Sequence, residues 1–151
     1  MRFASFVING DRGVLYAESS NRMGLLSASR PILLVDTSIP TTQLGELVKE
    51  ALAGSRVIRG RVPDFVDRRH EVLRAAGLKS WSEWKWLPMC GIRDDDSGTL
   101  CFVPMHPDGK GHEGVRAESV IIPFASPTEA IGAALWKAVD KVRRTGGNNH
   151  P

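Results

Sequence analysis

The sequence predicts an α+β fold: a mostly antiparallel sheet with two or three helices packed against it. Three observations predict it. Short apolar runs flank Asn9-Gly10 near the N-terminus. Two more flank Asp94-Asp95-Asp96-Ser97-Gly98, and turn signals of this kind join antiparallel neighbours. The third is a helix-opening phrase that occurs twice, as Pro40-Thr41-Thr42-Gln43-Leu44-Gly45 and as Pro127-Thr128-Glu129-Ala130-Ile131-Gly132. Pro, Thr, the aliphatic and the Gly fall at the same offsets in both. Glycine inside a helix costs about 1 kcal/mol relative to alanine. Its repetition at one offset therefore points to close approach of each helix to another backbone, with the sheet the expected neighbour. A shared packing role accounts for the repeat, with coincidence in a Gly- and Ala-rich chain as the other reading; an ancient duplication is compatible with the first.

Residues 3–8 and 14–17 form the first predicted hairpin, turning at Asn9-Gly10-Asp11-Arg12-Gly13. Pro31-Ile32-Leu33-Leu34-Val35 is a compact apolar run, read as a buried strand, and Pro40 then introduces the first helix. Leu44, Leu47, Val48, Ala51 and Leu52 make its apolar stripe, and Gly54-Ser55 ends it. A second helix fits residues 63–76, with Pro63 in the first turn and Gly77 as the stop. Its apolar face would use Phe65 or Val66, then Val72, Leu73 and Ala76, while Arg68, Arg69 and Arg74 look outward. Residues 80–86 are a short helical turn or tight connection. Strands at 87–93 and 99–105 form the second hairpin, residues 106–114 a polar loop, and residues 115–124 a further strand. In the last helix Ile131, Ala134, Leu135, Ala138, Val139 and Val142 form a stripe that runs to about residue 144. Residues 1–144 are thus expected to be a single domain and 145–151 a flexible tail.

At 151 residues, 42% hydrophobic and 25% charged, the chain has the composition of a soluble globular protein and enough length for a core without disulfides. No apolar run approaches the roughly 20 residues that cross a bilayer, and no signal-peptide cleavage pattern follows the first strand. A cytoplasmic protein with no membrane partner is expected. The net charge is +3, unevenly spread. Residues 56–79 hold Arg56, Arg59, Arg61, Arg68, Arg69, Arg74 and Lys79 against Asp64, Asp67 and Glu71. Asp94-Asp95-Asp96 is the opposing acidic knot.

No glycine-rich phosphate loop, nucleophile elbow or metalloprotease helix is present in the sequence. His70, His106, His112 and His150 are scattered. His106 with Asp108, and His112 with Glu113, are the nearest acid–base pairs, but a glycine-rich loop holds groups poorly. Cys90, Cys101, His106 and His112 lack the close cysteine pair of structural zinc sites, so no metal and no cofactor is expected. The two cysteines should be near neighbours across the second hairpin, as buried thiols. Trp81, Trp84 and Trp86 fall within six residues. Trp81 and Trp84 would share a helical face as core anchors, while Trp86 could point to the core or to a partner.

From residue 79 onward a familiar order of phrases appears. Leu87-Pro88-Met89-Cys90-Gly91-Ile92 is followed by Gly98-Thr99-Leu100-Cys101-Phe102-Val103-Pro104, a loop with Asp108-Gly109, the strand Val120-Ile121-Ile122-Pro123, and Ile131-Gly132-Ala133-Ala134-Leu135-Trp136-Lys137-Ala138. Upstream stand Leu44-Gly45, Val48, Ala51-Leu52 and Ser55-Arg56. Over residues 44–142 the chain resembles the immunity proteins of bacterial contact-dependent growth inhibition (CDI). The resemblance implies a non-enzymatic protein that binds one-to-one and blocks the C-terminal toxin domain of a large secreted adhesin, often a nuclease acting on tRNA. It carries over no contact residues.

A nuclease holds phosphate in a basic site, so acidic groups are the expected contacts. Asp94, Asp95 and Asp96 come first, Asp108 and Glu113 next, with Trp86 as an apolar anchor. The alternative function is a nucleic-acid-binding or regulatory module using the basic segment 56–79. An enzyme built on His106, Asp108 and His112 is third.

Overall fold

The computed structural model describes residues 1–21, 23–59 and 67–146. Its elements run β1 (Arg2–Asn9), β2 (Arg12–Ser20), β3 (Leu26–Asp36), α1 (Thr41–Ala53), α2 (Arg69–Ala75), α3 (Trp81–Trp84), β4 (Met89–Asp94), β5 (Thr99–Pro107), β6 (His112–Gly114), a 3-10 turn at Arg116–Glu118, β7 (Val120–Pro123) and α4 (Thr128–Gly146). The seven strands form one antiparallel sheet in the order β3-β2-β1-β4-β5-β6, with β7 also paired to β5. The fold is α+β, as expected.

Strand β1 lies in the middle of the sheet and is covered on both faces. Residues 4–8 are accordingly buried without a break, Ser5 included, rather than in alternation. Ala4, Phe6 and Ile8 point to one face. There, with Leu15, Cys90, Ile92, Leu100 and Phe102, they pack under α1 and α4. Val7 points to the other face and joins Val14, Tyr16 and Met89 under α2 and α3, against Val72, Leu73, Ala76 and Trp84. Both hairpins turn where expected, with Gly10 and Gly98 at positive φ.

The apolar stripes of α1 and α4 are buried, except that Leu47 is only half-buried. The two repeated glycines do mark a close backbone approach, but the neighbour is not the sheet. A Cβ on Gly45 would run into the Thr128 carbonyl of α4, and one on Gly132 into the Thr41 carbonyl of α1. The helices cross at their first turns, each glycine receiving the other's backbone.

Four expectations change. The run 31–35 lies on the edge strand β3, so Val35 is buried while Leu34 is 64% exposed. β6 occupies part of the stretch read as loop, and the long strand expected at 115–124 shrinks to four residues after a 3-10 turn. α2 begins only at Arg69, later than the expected 63–76, because Asp67 and the capping Arg68 are not helical; Pro63, Phe65 and Val66 lie outside the described residues. Its end is as expected, with Gly77 at φ +75° and the Leu78 N–H donating to the Leu73 carbonyl at 2.9 Å. Most of the tail, from residue 147, also lies outside. No helix among the described residues is long and apolar enough to cross a membrane.

Candidate interaction surface

The three adjacent aspartates do not form one exposed patch. Arg2 and Asp94 lie opposite each other across β1 and β4, and the Arg2 Nε donates to the Asp94 carboxylate at 2.9 Å. Asp94 is buried there. Asp96 sits at φ +65° and takes the N-terminal ammonium, and its side chain is 67% exposed. Asp95 accepts from the Ser97 N–H at 3.0 Å, the Ser97 hydroxyl at 2.6 Å and the Thr99 hydroxyl at 3.0 Å. The Ser97 bonds first, and then the Thr99 bond, hold its carboxyl down to a pKa of about 2. Arg2 and the N-terminus thus answer two of the three charges from within the chain.

The second group stands at the other end of β5. The Lys110 and Gly111 N–H groups donate to Asp108 at 2.8 and 2.7 Å and hold its carboxyl below the usual range. Glu113 is exposed on β6, opposite His106 in register. Trp86 is half-buried with its ring against Gly109, so it belongs with Asp108 rather than with the turn. Nine residues of β5 separate the two groups, roughly 30 Å at ~3.3 Å per residue.

The remaining polar candidates do not converge. His106 Nε2 lies 2.9 Å from the Glu118 carboxylate, while His112 Nε2 donates to the Leu87 carbonyl at 2.7 Å. The pairing His106–Glu113 and Pro107–His112 turns the two rings to opposite faces of β5 and β6. Burial lowers the His112 pKa, against the opposing pulls of the Leu87 bond and Asp108. Cys90 pairs with Pro104 and Cys101 with Arg93, so the buried thiols point to opposite faces and are not cross-strand neighbours. Burial pushes the Cys90 thiol up. No three His, Cys, Asp or Glu residues among those described gather as a metal would require.

A feature that the sequence did not predict lies on the second face of the sheet, beside the Asp108 end. α2 and α3 cover only part of that face. They leave a cleft of about 220 Å³ lined by Tyr16, Glu18, Trp81, Trp84, Met105 and His112, among others. It continues into a second hollow of about 280 Å³ over Phe3, Gly91 and Val103, with Glu18, Leu26, Met89 and Met105 bordering both. Trp84 is buried; Trp81, also expected in the core, is 41% exposed and stacks on it, ring centroids 5.4 Å apart. Glu18 accepts from the Ser5 hydroxyl, a diagonal neighbour across β1 and β2. Burial raises the Glu18 pKa in spite of that bond, and the same burial, with Glu18 beside it, raises the Tyr16 phenol well above its usual value. Only the alternation Tyr16-Ala17-Glu18 hinted that a carboxylate shares a face with a core tyrosine.

The family model described as CdiI, CDI immunity protein, matches residues 2–141. No curated protein matches the chain. Solved structures that share the fold include two at nearly full coverage. One is a protein of unknown function from Neisseria meningitidis, with TM-score 0.73 and 22% identity over 94% of this chain and 95% of that one. The other is the CdiA-CT/CdiI toxin and immunity complex from Yersinia pseudotuberculosis, with TM-score 0.72 and 20% identity over 93% and 96%. At these identities the likeness to either structure is one of fold. With nearly its whole length matched by one family, this chain belongs to the CDI immunity proteins.

Proposed function

We propose that this immunity protein binds, one-to-one, the C-terminal toxin domain of its cognate CDI adhesin and neutralises it in the cytoplasm without chemistry of its own. The toxin is a nuclease, with tRNA as the candidate substrate. The observation that carries the reading is the family match over residues 2–141. The Yersinia relative, solved as a toxin and immunity complex, supports it. A stoichiometric inhibitor of a toxin lethal at low copy number needs a Kd of nanomolar or below, about −12 kcal/mol.

The acidic candidates then divide into two contact regions. Asp95 and Asp96, with Asp94 beneath them, would meet a basic toxin at the hairpin turn. Asp108 and Glu113, with Trp86 as apolar neighbour, would meet it at the far end of β5. The test is to express the toxin domain encoded beside this chain and ask for co-purification, protection of cells and loss of tRNA cleavage on adding one equivalent of this protein. A domain that neither co-purifies nor is neutralised overturns the reading, and a neutralised domain that leaves nucleic acid intact overturns the nuclease assignment.

A further inference from the structure

Among the described residues, Glu18 is the one carboxylate that the second face of the sheet turns inward. Its hydrogen-bond partner is the Ser5 hydroxyl, and no Lys, Arg or His among the described residues forms an ion pair with it. Arg69, the arginine among the residues that line this cleft, is engaged elsewhere. Its guanidinium lies 4.7 Å above the Trp81 ring and 3.5 Å from the Asp67 carboxylate, and its side chain is half exposed. Arg93 pairs with Phe3 in register, as does Glu18. It therefore stands two strands away with Phe3 between them, about 10 Å by strand spacing.

We propose that this cleft receives an arginine side chain of the bound partner, its stem along Trp84, Met89 and Met105 and its guanidinium on Glu18. The proposal rests on the reading that the partner is a toxin domain.

Charge and shape select the occupant. A half-buried carboxylate that makes no ion pair of its own is unfavourable to seal from water, so an apolar plug would do so at a cost and an anion would be repelled. A long aliphatic stem ending in a cation satisfies both the thioether and indole walls and the carboxylate floor. Arginine fits better than lysine, because its planar fork pairs with a carboxylate through two parallel bonds and sheds water more readily. The volume of about 220 Å³ beside Glu18 is that of roughly seven liquid waters, room for one such side chain. The site also adjoins Asp108 and Trp86, since Gly111 and His112 line it, so one partner surface can cover both.

The first test needs no toxin. The free protein is titrated with Nα-acetyl-arginine amide and with its neutral isostere Nα-acetyl-citrulline amide, following the indole N–H resonances of Trp81 and Trp84. We expect the arginine amide to shift them at concentrations at least tenfold lower, and Glu18→Gln to remove that preference. Equal shifts by both amides, or a preference that survives Glu18→Gln, overturn the proposal. The second test uses the toxin domain, with Glu18→Gln first shown to melt as a folded protein. The complex should weaken at least tenfold, mainly through faster dissociation. Unchanged affinity overturns the assignment to the partner. A wild-type chain that fails to bind the toxin at all is a different result, for it overturns the immunity reading before any variant is made.

Discussion

Gly45 of α1 faces the carbonyl of Thr128 at the start of α4 with no space for a Cβ, and Gly132 faces Thr41 in the same way from the other side. The repeated phrase is therefore a reciprocal helix–helix contact. Alanine normally gains about 1 kcal/mol over glycine inside a helix. Here the added methyl meets backbone, which cannot rotate aside, so overpacking wins. Gly45→Ala and Gly132→Ala should each lower stability by about 1–3 kcal/mol. Urea unfolding would show this as a lower midpoint at unchanged slope, whereas unchanged midpoints would mean the helices slide apart freely.

Asp95 gives the hairpin turn a signature in acid. The Ser97 and Thr99 bonds favour its ionised form, so its folded-state pKa of about 2 lies below the ordinary value near 3.9. A depressed carboxyl contributes stability that is complete above the unfolded value and is lost as pH falls through the folded one. Stability should therefore decline between about pH 4 and pH 2. Asp95→Asn should flatten that part of the profile, and a carboxyl NMR titration should find the Asp95 midpoint near 2.

Glu18 behaves in the opposite sense. Burial raises its pKa, so across the window from the ordinary glutamate value near 4.3 up to the raised one the folded state holds a proton that the unfolded state has released. Its contribution is present below that window and lost as pH rises through it. Glu18→Gln keeps the Ser5 bond and removes the charge. The variant should melt at the same temperature as wild type or higher at pH 7, with less change between pH 4 and pH 7. A clear loss of melting temperature at pH 7 would show that the ionised carboxylate stabilises the fold. A stabilised variant that binds its partner less well is the pattern of a site kept for function at the expense of stability.

Legibility in the sequence followed the range of the interactions. The hairpins at Asn9-Gly10 and Asp94 to Gly98 and the stripes of α1 and α4 are set by turn chemistry and periodicity, and both can be read within a dozen residues. The strand at Leu26 to Arg30 was missed because Leu-Ser-Ala-Ser-Arg carries little apolar signal; it is held at the sheet edge by pairing with β2. The repeated glycines announce a close neighbour without naming it, because helix-to-helix proximity between residues 45 and 128 is not a local property. The acidic knot misled for a similar reason. Arg2, which neutralises Asp94, is distant in sequence and becomes its neighbour only when β1 pairs with β4. The cleft was least legible, since Glu18, Trp84, Met105 and His112 come from four separate segments.

The two acidic regions can be separated by kinetics. Exposed charges at an interface act chiefly on the rate of encounter and its salt dependence, while desolvated groups act on dissociation. One variant carries Asp95→Asn and Asp96→Asn, and the other Asp108→Asn and Glu113→Gln; Asp94 is left alone because removing it would strand the partly buried Arg2. If the hairpin turn steers the toxin, the first variant should slow association several-fold at low ionic strength and converge with wild type at high salt, where a Debye length of about 3 Å at 1 M screens the field. If the far end of β5 does so, the second variant shows that behaviour. The position of the cleft beside Asp108 favours the second outcome. Stopped-flow association at two salt concentrations decides between them, and equal rates for both variants and wild type would remove the acidic groups from the encounter surface.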